Sequence, residues 1–106
     1  MKLSEAQRLF TLDVGKLIIW AYEQGFELTF GESYNAEGLG HMKGSCHYIR
    51  LAQDFNLFIA GEYQTETFAY LRLGQYWKSL GPFNRWGGDF NHPDGNHFSY
   101  LWDGRA

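Results

Sequence analysis

The longest stretch with one unbroken periodicity runs from Ser4 to Gln24, and it constrains the fold more than any other part of the chain. Phe10, Val14, Leu17 and Ala21 recur at helical spacing, with Leu9, Ile18 and Tyr22 widening the stripe. Ser4 followed by Gln7 has the spacing of a capping box, and Gly25 is a natural stop beyond the last turn. Gly15 lies inside this pattern and weakens the helix by ~1 kcal/mol relative to alanine without breaking it. One long amphipathic helix needs an apolar surface to lie on. In a chain of 106 residues the remainder has to build that surface as part of the same domain.

The remainder reads mostly as short strands. Phe26–Phe30 alternates apolar and polar with period two. Residues 31–44 carry four glycines and no period, which reads as a surface loop. Tyr48–Phe58 is apolar enough for a strand pair or a bulged strand, Ala60-Gly61 is a hairpin turn, and Glu62-Tyr63-Gln64 returns from it. Thr65–Leu80 resumes helical character, firmest over Leu73–Leu80, until Gly81-Pro82 ends it. Phe83–Phe90 and His97–Trp102 read as two short strands around a turn at Asn91–Asn96. Helices and strands do not alternate regularly. The expectation is therefore one α+β domain over residues 1–106, a small antiparallel sheet with two main helices.

Composition removes several classes of function. The net charge is −3 with no concentrated basic segment, which argues against nucleic acid as a partner. Cys46 is the single cysteine, so no internal disulfide forms. The longest apolar run, Leu17–Tyr22, is far short of the ~20 residues a membrane span needs. The first residues lack the apolar core of a signal peptide, so folding in a cytoplasm and no membrane insertion are expected.

Two polar clusters stand out from this apolar background. His47 and Asp54 lie seven residues apart, and Asp94 precedes His97 by three. Two histidines and one carboxylate meet the ligand count of a catalytic zinc site, which leaves a fourth position for water. A neighbouring carboxylate, Asp94, can then accept the proton of that water. The spacing also imposes a structural condition. On one regular strand His47 and Asp54 would point to opposite faces, so the backbone must turn or bulge between them if both serve one ion. His41 and His92 read as loop residues, Asp89 as a structural hydrogen-bonding group and Cys46 as a small buried apolar one.

In order along the chain, Ser45-x-His47, Leu51-Ala52-x-Asp54, Trp86-Gly-Gly-Asp-Phe90 and Asp94-x-x-His97-Phe98 resemble the M15 family of zinc peptidases. That family includes D-Ala-D-Ala peptidases and phage endolysins that cut the L-alanyl-D-glutamate bond of peptidoglycan, and the chain's small size is most similar to the endolysins. The resemblance implies a Hedgehog/DD-peptidase-like fold, one zinc ion per chain held by His47, Asp54 and His97, and Asp94 as the catalytic acid/base. It implies a supporting or substrate-side role for Ser45, Arg50 and Trp86. The substrate would be the peptidoglycan stem peptide, and the enzyme, a monomer, would wait in the host cytoplasm until released to the wall. One position departs from the family: Tyr34 is followed by Asn35 where relatives carry an arginine. Lys43, Arg50 or Arg85 would have to replace it. The alternatives are a D-Ala-D-Ala carboxypeptidase and a non-catalytic zinc-stabilised module that binds the cell wall.

Overall fold

The computed structural model describes residues 1–32 and 46–106. The chain forms helix α1 (Leu3–Glu23), strand β1 (Phe26–Phe30), a 3-10 turn (Cys46–Ile49), β2 (Ala52–Ile59) and β3 (Glu62–Gln64). A second 3-10 turn (Thr67–Tyr70) then leads into α2 (Leu71–Ser79), β4 (Asn84–Trp86), a third 3-10 turn (Gly87–Asp89) and β5 (His97–Tyr100). All strand pairs are antiparallel, in the order β1-β2-β5-β4, with β3 pairing to β2. This is the α+β architecture expected from the sequence. No helix among the described residues is long and apolar enough to cross a membrane.

The core forms where the helices meet one face of the sheet. Phe10 and Leu17 of α1, Leu73 and Trp77 of α2, and Phe55, Leu57 and Phe98 of the sheet are all buried. Trp77 meets Phe10 and Phe98 edge-on, at centroid distances of 5.6 and 6.1 Å, the favoured aromatic geometry. Its indole N–H donates to the carbonyls of Arg85 (2.9 Å) and Ser99 (3.1 Å), so the largest core side chain leaves no unpaired donor.

Several boundaries differ from the sequence reading. The N-terminal reach-back comes from Glu5, which accepts from the Lys2 backbone N–H at 3.3 Å. Gln7, expected to cap the helix, instead donates to the carbonyl of Ile49 at 2.8 Å. Leu9 and Tyr22 do not widen the buried stripe; they are exposed, and Ala6 and Asp13 take the inner positions. Residues 46–49 form a 3-10 turn rather than a strand, and β2 begins only at Ala52. Of Thr65–Leu80, only Leu71–Ser79 is α-helix. Of Phe83–Phe90, only Asn84–Trp86 is strand. The Ala60-Gly61 hairpin is as expected, with φ of 52° and 79°, the left-handed pair that a two-residue turn of this hand requires. The loop read over residues 31–44 falls largely outside the described residues, as do Ser45, Asn35 and Lys43.

Candidate metal centre

Strand pairing fixes the first two ligands relative to each other. In the β2–β5 ladder Asp54 stands directly opposite His97, one step from the Gln53–Phe98 pair. Directly opposed residues share a face with Cβ atoms about 5 Å apart. Phe98 points into the core, so Asp54 and His97 occupy the other face of the sheet. Backbone bonds on both sides hold Asp54 in place: its N–H donates to the Glu32 carbonyl (2.7 Å) and its carbonyl accepts from Gly31 (2.8 Å).

His47 reaches the same point because the chain does turn between it and Asp54. The 3-10 turn closes with Leu51 N–H donating to Cys46 O at 3.0 Å, and Arg50 adopts φ of 56° to redirect the backbone into β2. Two more bonds fasten this turn: Gln7 of α1 donates to Ile49 O, and the Cys46 thiol donates to Tyr100 O at 3.3 Å. Burial pushes the Cys46 thiol up to about 11, with Arg105 opposing, so it is an inert packing group rather than a thiolate ligand.

His97 is set by the turn that precedes it. Its N–H donates to Asp94 O (3.2 Å), and Asp94 N–H donates to Gly87 O (2.9 Å). The buried Trp86 indole donates to Gly95 O at 2.8 Å and holds the turn from beneath. Gly87 has to be glycine: a Cβ there would collide with the Asp94 carbonyl oxygen and press on the His97 Cβ.

The three side chains converge. His47 Nε2 lies 3.2 Å from His97 Nδ1 and 3.2 Å from Asp54 Oδ1, and His97 Nδ1 lies 3.4 Å from Asp54 Oδ1. Tetrahedral zinc at 2.0–2.2 Å from nitrogen and oxygen ligands requires edges of about 3.3 Å between them. Both imidazoles are almost fully buried, yet Asp54 Oδ1 has no aligned hydrogen-bond donor among the described residues. A buried carboxylate oxygen without a donor is costly unless a cation faces it. Burial pushes the Asp54 carboxyl up, but the adjoining His47 and His97 imidazoles outweigh it and hold it below the usual carboxylate value. Donor identity, edge lengths and the missing donor therefore all fit a zinc ion, with His47 Nε2, Asp54 Oδ1 and His97 Nδ1 as its holders.

Among the described residues, none of the others singled out from sequence joins this triangle. Asp94 is exposed on the turn and helps wall a polar depression of about 190 Å³, shared with Tyr63, Thr67, Tyr70 and Asn96. Burial raises the Tyr70 phenol, and the charge of Asp94 adds to that rise. A roomier apolar hollow of about 320 Å³, between Met1, Phe83 and Trp102, involves none of the ligands. Arg50 is exposed on the link between the His47 turn and β2. The Arg85 guanidinium is engaged locally, donating to the carbonyls of Pro82 (2.8 Å) and Asn84 (3.2 Å). Asp89 pairs with Lys78 at 2.7 Å, and His92 is exposed.

Gln7, Gln53 and Gly87 also hold the site in place, a role their sequence positions did not reveal. Gln53 is buried and donates to the carbonyls of Asp54 (2.8 Å) and Gly31 (3.3 Å), which pins the end of β1 to the ligand-bearing strand. A polar residue adjacent to an expected ligand was the available signal for Gln53. Gln7 carried a competing signal, its capping spacing.

Residues 40–100 match the model of a peptidase family described as D-alanyl-D-alanine carboxypeptidase, a span containing His47, Asp54, Asp94 and His97. No curated protein matches the chain.

Proposed function

This chain belongs to the M15 peptidase family, and from that premise we propose that it is a zinc-dependent peptidoglycan peptidase. We assign its substrate as the stem peptide and its scissile bond as L-alanyl-D-glutamate, as in the phage endolysins its motifs resemble. The observation that carries the metallopeptidase reading is the triangle of His47 Nε2, Asp54 Oδ1 and His97 Nδ1, with a buried carboxylate oxygen that no aligned donor among the described residues satisfies.

Zinc, when bound, supplies a Lewis acid that polarises a carbonyl and lowers the pKa of water. The chain's own residues do the rest. Asp54 contributes a single negative charge and the two imidazoles remain neutral donors, so the site keeps a net positive charge toward an incoming carbonyl. Asp94, on the turn that ends in His97, takes the proton of the attacking water and returns it to the leaving amine. Trp86 and Gly87 hold that turn, so the base and one ligand move as a unit. Arg50 takes the place of the arginine absent after Tyr34 and meets the substrate carbonyl. Replacing it should lower kcat by about 10²-fold while leaving zinc affinity unchanged.

The family's description favours a second reading, release of a terminal D-alanine. Digestion of purified peptidoglycan separates the two. New L-alanine carboxyl ends in the released muropeptides support the endopeptidase, and free D-alanine supports the carboxypeptidase. Release by neither wild type nor Asp94→Ala would leave a zinc-stabilised wall-binding module instead, and equal release by both would show that Asp94 is not the base.

A further inference from the structure

Among the described residues the outer face of α1 is left largely uncovered, although the Tyr22 hydroxyl at its end donates to Leu28 O and accepts from Leu28 N–H, each at 3.2 Å. Leu12, Gly15, Ile19 and Tyr22 follow one another at steps of three, four and three, the spacing of a helix–helix seam. Leu12 is 56% exposed, Ile19 64% and Tyr22 51%, with Leu9 beside them at 47%. The inner face of the same helix is already occupied by Ala6, Phe10, Leu17 and Ala21. The helix is therefore apolar on two sides, where an ordinary surface helix is apolar on one.

Gly15 adds a second, independent observation. It lies mid-helix, where glycine costs about 1 kcal/mol relative to alanine. A Cβ built on it meets nothing within 4 Å, so nothing among the described residues requires its absence. A helix crossing over Gly15 would require it, because a missing side chain lets two backbones approach closely.

We propose that this face is a self-association surface, on which α1 pairs antiparallel with α1 of a second copy about a two-fold axis between Gly15 and Lys16. That axis places Leu12 against Ile19 of the second copy, and Leu9 against Tyr22. It also places Arg8 opposite Glu23, one opposite-charge pair at each end. Parallel in-register pairing would instead set Arg8 against Arg8 and Glu23 against Glu23, while Lys16 lies near its counterpart in either arrangement. Charge therefore selects the antiparallel arrangement. Two helices of this length crossing once bury on the order of 1,000 Å², the low end for a specific interface, so a weak, concentration-dependent dimer is expected. Gln7 and Phe10, which support the metal centre and the core, lie on the opposite face, so pairing leaves the centre as it is.

Sedimentation equilibrium on the full chain from about 5 to 500 µM tests this. The average mass should climb from 12.3 kDa toward twice that value. Arg8→Glu or Glu23→Arg alone should weaken association about fivefold by turning two attractive contacts repulsive. The double variant should return to within about twofold of wild type. Ile19→Glu should remain monomeric with an unchanged circular dichroism spectrum and Tm. A wild type monomeric at every concentration overturns the proposal. So does a double variant as weak as either single one, or an Ile19→Glu protein that unfolds, since that side chain would then belong to the core.

Discussion

Two buried polar clusters in this small domain make opposite use of the same kinds of group. In one, Asp13 of α1 accepts hydrogen bonds from the Tyr100 hydroxyl (2.6 Å) and the Asn84 amide (3.2 Å), joining helix, β5 and β4. In the other, Asp54 Oδ1 lies 3.2–3.4 Å from two imidazole nitrogens, yet among the described residues it has no aligned donor. The first cluster is closed: each carboxylate contact brings its own proton, and nothing is left for a ligand to do. The second is open: its polar atoms converge on one another and want a positive charge between them. Both are nearly dry, so burial alone does not separate a structural polar cluster from a functional one. The placement of protons does.

That contrast can be broken most decisively at the open cluster. His97→Ala should reduce zinc affinity by more than about 100-fold and peptidase activity to background. Zinc at a thousandfold over its Kd should raise the stability of the wild type by about 4 kcal/mol and leave His97→Ala unmoved. Scans of Tm against zinc concentration would show it, and equal stabilisation of both proteins would mean the ion binds elsewhere.

Gly87→Ala should come next. The added methyl has to displace the Asp94 carbonyl or His97, so stability should fall by about 2–3 kcal/mol and zinc affinity with it. Denaturant unfolding with and without zinc checks both. A variant with normal zinc affinity would show that the Asp94–His97 turn is not what positions the ligand.

The closed cluster should respond in stability alone. Tyr100→Phe removes the donor to Asp13 and should cost about 1–2 kcal/mol with zinc affinity unchanged. The effect has a pH signature. Burial, and then the Asp13 carboxylate, hold the Tyr100 phenol well above its ordinary value of 10.0. The stability this contributes is fully present below the unfolded value near 10 and is lost as pH rises above it. The Tm of the wild type should therefore fall more steeply above pH 10 than that of Tyr100→Phe. Parallel slopes would show that the phenol ionises freely in the folded protein.

How legible each cluster was in sequence follows from its chemistry. The candidate ligands His47, Asp54 and His97 were readable because metal coordination restricts residue type. The need for a turn before Asp54 followed from the period of a strand. The form of that turn was not readable. It is a 3-10 turn fastened by Gln7 from α1 and by Cys46 to Tyr100, contacts across more than forty residues with no local pattern. Asp13 was invisible for a related reason. On a helical wheel it is one charged residue at the edge of an apolar stripe, and only the folded sheet brings Tyr100 and Asn84 to it. Helix and strand identities survived because they rest on periodicity, while the ends of Tyr48–Phe58 and Phe83–Phe90 shifted because tertiary bonds, not propensity, decided them.

The central claim is that the triangle of His47, Asp54 and His97 is a zinc site. Metal analysis of protein equilibrated with zinc and then desalted tests it most directly. One zinc per chain is expected, removed by a chelator and absent from His47→Ala protein that keeps its circular dichroism spectrum. Wild-type protein that retains no zinc, or a folded His47→Ala variant that retains a full equivalent, would contradict it.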